Sequence, residues 1–169
     1  GYAKAQYNLG LLYEQHNSLP DNLTQARIWF IRAAESGNAD GVAWLRNIAE
    51  MNDTDAQFTL GRMYLQGKGV ARDEKEAFVW IMRAALAEHI AAAYTLGVLH
   101  EGGRGVRLSY PEAVSWYRSA ADQGSSPALY NLARLYRLGR GVLRDLVRAE
   151  DLYVQAANAG RSEAQLSLA

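Results

Sequence analysis

The amino-acid sequence predicts an all-α fold, a right-handed α-solenoid of stacked helix-turn-helix repeats of about 36 residues. Three observations lead there. A set of residues recurs at a fixed step: Leu60-Gly61 returns as Leu96-Gly97 and as Leu132-Ala133, and Ala84-Ala85 returns as Ala120-Ala121 and Ala156-Ala157. Each block divides into two segments of helical periodicity. Glycines stand where those segments must reverse, as Gly67-Lys68-Gly69-Val70, Gly103-Arg104-Gly105-Val106 and Gly139-Arg140-Gly141-Val142.

The repeat defines four units, 3–38, 54–89, 90–125 and 126–161. In the second, Ala56, Leu60, Met63 and Tyr64 share one face of a first helix, and Ala77, Trp80, Ile81 and Ala84 share one face of a second. Asp73 stands at the N-cap of that second helix, where its carboxylate would accept free amides; Ser109 and Asp145 repeat it. The Gly-x-Gly pair supplies residues that take positive φ, so the first helix can stop and the chain reverse in a short turn. Gly124 and Gly160 serve the same purpose between units. The small residue at Gly61, Gly97 or Ala133 is expected to admit the paired helix, with the Ala-Ala step as its counterpart. Trp29, Trp80 and Trp116 occupy one repeated position and read as core, whereas Trp44 is out of that register.

Two segments depart from the pattern. The first unit has His16 and Ser18 where the turn glycines should stand. Residues 39–53 amount to one extra helix, with Leu45 in the register of Leu9 and Leu60 and no second helix after it. The array is therefore expected to change direction there. Gly1-Tyr2 match the last positions of a preceding unit and residues 162–169 the start of a following one, without the polar caps that normally close a solenoid. A piece of a longer array is the expectation.

Composition excludes more than it identifies. Lys plus Arg and Asp plus Glu number 18 each, so no overall field would draw the chain to nucleic acid or to an anionic membrane surface. With no cysteine there is no disulfide framework, thiolate zinc site or Cys nucleophile. No apolar run is long enough to span a bilayer.

Candidate chemistry is sparse. Phosphate cradles follow a strand and open a helix, whereas these Gly-x-Gly-Val turns follow a helix and recur in register. Lys68, Arg104 and Arg140 at the turn centres read as a solvated basic edge. His16, His89 and His100 lie at unrelated positions without metal-ligand spacing, and no serine sits on a nucleophile elbow. The reading is a non-enzyme with no catalytic residues, no metal and no cofactor. Charge is uneven along the chain: 126–161 holds six arginines against three acids, and 39–53 one arginine against three.

The pattern A-x-A-Q-x-x-L-G-x-x-Y, then G-x-G-V-x-x-D, A-x-x-W and A-A-x-x-G, resembles the Sel-1-like repeat family, relatives of the tetratricopeptide repeat. The resemblance covers nearly the whole chain. It implies a bacterial-type adaptor or scaffold that holds another protein or peptide on a concave face lined by first helices. Projected there are Tyr7 and Asn8, Phe58 and Arg62, Tyr94, and then Tyr130, Asn131, Arg134 and Arg137. Arg134 and Arg137 lie three apart on one helix and would face a carboxylate-bearing, acidic segment together. Similar arrays serve in exopolysaccharide secretion, so a periplasmic scaffold of an alginate-like machine, with tyrosines stacked on polysaccharide, is a second reading. Cysteine-rich relatives described as binding or cleaving β-lactams add a third, a weak hydrolase, although their cysteine pairs are missing here. By resemblance alone, the expected compartment is the bacterial periplasm or cell envelope.

Overall fold

The computed structural model describes residues 1–15 and 22–159. The turn containing His16 and Ser18, Gly160 and the partial unit 162–169 lie outside the described residues. Among these residues there are nine α-helices and no strand: α1 Tyr2–Gln15, α2 Asn22–Glu35, α3 Ala39–Glu50, α4 Thr54–Gln66, α5 Glu74–Leu86, α6 Ile90–Gly102, α7 Tyr110–Asp122, α8 Ser126–Leu138 and α9 Leu146–Asn158. They form two compact units, Gly1–Trp80 and the chain from Ile81 onward. In the first, α1 packs on α2, α2 on α3 and α3 on α4; in the second, α6 packs on α7, α7 on α8 and α8 on α9. Both are stacks of antiparallel helices joined by short turns, the all-α repeat class that the periodicity predicts.

Local chemistry accounts for the boundaries. Asp73 Oδ1 accepts the amides of Lys75 and Glu76 at 2.9 and 3.1 Å, and Asp145 Oδ1 that of Arg148 at 2.9 Å. Gly67, Gly103 and Gly139 close α4, α6 and α8 in the left-handed region, at φ 67°, 63° and 65°. His89, which spacing arguments leave without a role, caps α6: its Nδ1 accepts the amide of Ala92 at 3.1 Å.

The core corrects the expected phase of the second helices. Trp80 is buried, but Trp29 and Trp116 are only half-buried. The deeply buried position is the next one, Phe30, Ile81, Tyr117 and Tyr153. One residue is about 100° of helix, so the ring that faces the first helix is the one after the tryptophan. The small residue on the first helix receives that ring rather than the Ala-Ala step. A Cβ on Gly97 would overlap the Tyr117 ring, and one on Gly10 would stand 2.7 Å from Phe30.

The turn-centre cations also differ from a plain solvated edge. Lys68 Nζ pairs with Glu35 Oε2 at 2.6 Å, and the Arg140 guanidinium lies 5.4 Å from the centre of the Tyr110 ring. Each ties its turn to an earlier second helix.

Residues 39–50 form one helix, capped by Asn38, whose Oδ1 accepts the Gly41 amide at 2.8 Å. Its sequence register is that of a first helix, but toward α4 it packs like a second one. Arg46 donates to the Tyr64 hydroxyl, just as Arg118 of α7 donates to the Tyr136 hydroxyl of α8 at 2.9 Å. Gln57 Nε2 completes the α3–α4 junction by donating to the Ala49 carbonyl at 3.0 Å.

Candidate functional site

Four aromatic side chains recur at the fifth position of the first helices: Tyr7, Phe58, Tyr94 and Tyr130. All are half-buried. In three of them the ring is held from behind by the buried aromatic of the paired helix. Tyr7 lies 5.3 Å from Phe30, Tyr94 5.9 Å from Tyr117, and Tyr130 5.5 Å from Tyr153, centroid to centroid. Tilted and edge-on contacts of this kind fix a ring without covering it. Asn8 is exposed beside Tyr7, and Arg62 is exposed with its guanidinium 5.8 Å from the Phe58 ring centre.

The second unit brings most of the expected residues together. Asn131 and Arg134 are half-buried on α8, and Arg137 is exposed one turn further on. Arg134 does not stand alone: its Nη2 lies 2.5 Å from Glu101 Oε1 of α6. The other carboxylate oxygen of Glu101 accepts the Tyr117 hydroxyl at 3.0 Å. Glu101 is thus the organising residue that spacing alone does not single out. The signal in the sequence is the pairing of an acid at position 12 of one repeat with an arginine at position 9 of the next, 33 residues later. Burial first, and then the Glu101 charge, push the Tyr117 phenol well above its ordinary range, so it stays a neutral donor. Burial likewise raises the Tyr153 phenol, against the opposing charges of Arg137 and Arg134. Arg137 makes no hydrogen bond or ion pair among the described residues. Asp151, on the neighbouring α9, pairs instead with Arg148 at 3.3 Å and accepts from Gln155 Nε2 at 3.0 Å.

In the first unit, Trp44 acquires a place. Its ring lies 4.7 Å from Phe30, tilted by 33°, so that Phe30 contacts both Trp44 and Tyr7. Arg27 of α2 makes a two-pronged pair with Asp53 at 2.6 and 2.5 Å, while Asp53 also caps α4 through the Ala56 amide at 2.8 Å. The Arg27 hydrogen bonds hold the Asp53 carboxyl below the usual carboxylate range. Among the described residues no group of three or more His, Cys, Asp or Glu could hold a metal ion, and no helix is long and apolar enough to cross a membrane. His100 is buried, and that burial lowers its imidazole below the ordinary value.

The paired helices, the Gly-x-Gly turns and the small-residue crossings coincide with a known repeat: a model of the Sel1 repeat matches residues 3–38, 54–89, 90–125 and 126–160. The chain belongs to the Sel1 repeat family. Among solved structures, it is similar to a Sel1 repeat protein from Oxalobacter formigenes, 37% identical over 75% of this chain and 96% of that one, with a TM-score of 0.69. A protective antigen of uropathogenic Escherichia coli strains that displays the same repeat fold is 38% identical over 97% of this chain, with a TM-score of 0.67; the match spans 32% of that protein. Cysteine rich protein B of Helicobacter pylori shares the fold at 16% identity over 90% of this chain and 98% of that one, with a TM-score of 0.58. No curated protein matches the chain. Sel1 repeats generally mediate protein–protein interactions. No catalytic residues or cofactor-binding motif are seen among the described residues of this Sel1 array.

Proposed function

We propose that this Sel1 array is an adaptor that grips an acidic or C-terminal carboxylate segment of a protein partner on the first-helix face of repeats 3 and 4. The observation that carries this reading is the Tyr94, Tyr130, Asn131, Arg134 and Arg137 strip, in which the rings are backed by Tyr117 and Tyr153 and Arg134 is oriented by Glu101. A side chain already held in place loses little conformational freedom when it binds, and Tyr and Arg are the residues that most often dominate interface energetics. Arg137 supplies the uncompensated charge. Arg134, neutralised by Glu101, offers its remaining N–H groups as oriented donors.

The test is a set of peptides that differ only in a free or amidated C-terminus and in acidic or neutral side chains, titrated against the full chain. Acidic, free-carboxylate peptides should bind best, and binding should weaken with salt. Arg137→Ala should lower affinity about tenfold, roughly 1.4 kcal/mol, and flatten the salt dependence. Equal binding of amidated neutral peptides, or an unaltered Arg137→Ala variant, would remove the site.

A further inference from the structure

The first unit contains a second candidate site, unrelated to the strip on α6 and α8. A pocket of about 400 Å³ opens between the C-terminal end of α1, helix α2 and helix α3. That volume falls in the range of pockets that take a small ligand or a pair of side chains. Its apolar lining is Leu23, Phe30, Trp44 and Ile48, and its rim carries Glu14, Arg27 and Asp53. Leu23 is 68% exposed, so apolar surface at this mouth remains open to water.

Three observations restrict what would occupy it. The pocket owes its far wall to α3, the helix inserted between two complete repeats, and its aromatic surface to Trp44, which has no counterpart in the repeat register. Trp44 lies tilted against Phe30, lines the pocket and is only half-buried. The charge at the mouth is negative. Arg27 is matched by Asp53 and lies 3.8 Å from Asp55, while Glu14 is exposed and makes no hydrogen bond or ion pair among the described residues. At the rim itself two carboxylates, Glu14 and Asp53, stand against the one guanidinium of Arg27. An aromatic wall beside excess carboxylate favours a cation carried on an apolar stem, through attraction to the ring face and to the acid together.

We propose that this pocket takes a Lys or Arg side chain of a partner protein, with a neighbouring aliphatic or aromatic residue seated on Phe30, Trp44 and Ile48. The partner segment has the charge opposite to that expected on the α6–α8 strip. The probe is a library of random twelve-residue peptides displayed on phage and selected against the full chain, followed by synthesis of the enriched peptides. Peptides with Lys or Arg within two positions of a large apolar residue should be enriched. Glu14→Lys, a reversal at an exposed position, should weaken them at least tenfold while leaving the thermal melt unchanged. Trp44→Ala should weaken them as well, with the melt reporting any loss of packing. An absence of enrichment, enrichment of peptides without a cation, or full affinity in Glu14→Lys would each overturn the proposal. Binding abolished by Arg137→Ala and spared by Glu14→Lys would assign the peptides to the α6–α8 strip and overturn it equally.

Discussion

Gly97 and Tyr117 show how one missing methyl group is used. The Tyr117 ring occupies the space that a Cβ at position 97 would need, and its hydroxyl continues to Glu101 and so to Arg134. Gly97→Leu should therefore overpack the α6–α7 crossing and cost about 1–3 kcal/mol or more, read as a fall in Tm. An unchanged Tm would contradict the crossing geometry. A second residue-scale outcome concerns Asp53, whose carboxyl is held low by Arg27. A depressed carboxylate contributes stability that is complete above the unfolded value, about 3.9, and is lost as pH falls through the lower folded value. Denaturation of the native chain should steepen below about pH 4. Asp53→Asn keeps a capping oxygen but has nothing to titrate, so it should be less stable at pH 7 and lose less on acidification. Residue roles of this kind are only partly legible in sequence. The Asp73 and Asp145 caps follow from local spacing, whereas the Glu101–Arg134 pair joins residues 33 positions apart and depends on which faces the packing brings together.

Helix ends were the most legible elements because a left-handed residue is required at a defined place. Gly37 and Gly124 take φ 82° and 87° after α2 and α7, and the corresponding position after α5 is Glu88, at φ 63°. A glutamate there bears the clash of its Cβ with the following carbonyl, on the order of 1–2 kcal/mol, which glycine escapes at some cost in unfolded-chain entropy. Glu88→Gly should accordingly raise stability by up to about 1 kcal/mol in chemical denaturation. A loss of stability would show that the Glu88 side chain makes contacts worth more than the strain. The second helices were less legible. Trp29 and Trp116 carry the larger apolar surface, yet Phe30 and Tyr117 face the paired helix, and an aromatic pair in adjacent positions leaves the phase open until the small residue opposite is located.

Across the molecule, the same motif position carries different energies according to what stands beside it. Ala5, Leu9 and Leu12 of α1 correspond to Ala128, Leu132 and Leu135 of α8. The α8 residues are buried, with Leu135 fully so, whereas Ala5 is exposed, Leu9 half-buried and Leu12 51% exposed. Helix α7 packs on α8. Leu135→Ala should cost about 2–5 kcal/mol, and Leu12→Ala should stay within about 0.5 kcal/mol, measured by urea unfolding of the full chain. Comparable losses at both sites would mean that Leu12 is covered in solution. A repeat motif makes these positions look equivalent in sequence, because periodicity reports which residues suit an interface and says nothing of whether a neighbour occupies it.

Helix α3 leaves a mark on the turns as well. A Cβ on Gly141 would run into the backbone of Tyr110 and Pro111, at the start of α7, whereas one on Gly69 would run into the Ala34 carbonyl, near the end of α2. A helix carries about half a positive charge at its beginning and half a negative charge at its end. Lys68 therefore sits against a negative pole, supported by Glu35, while Arg140, at the same place in its repeat, sits against a positive pole and leans on the Tyr110 ring instead. One inserted helix has reversed the polarity that a shared motif residue meets. Neutralising the two should have opposite signs in the dipolar contribution, each about 0.3–1 kcal/mol at low ionic strength and fading with salt: Lys68→Gln gives up an attraction, and Arg140→Gln relieves a repulsion while forfeiting its ring contact.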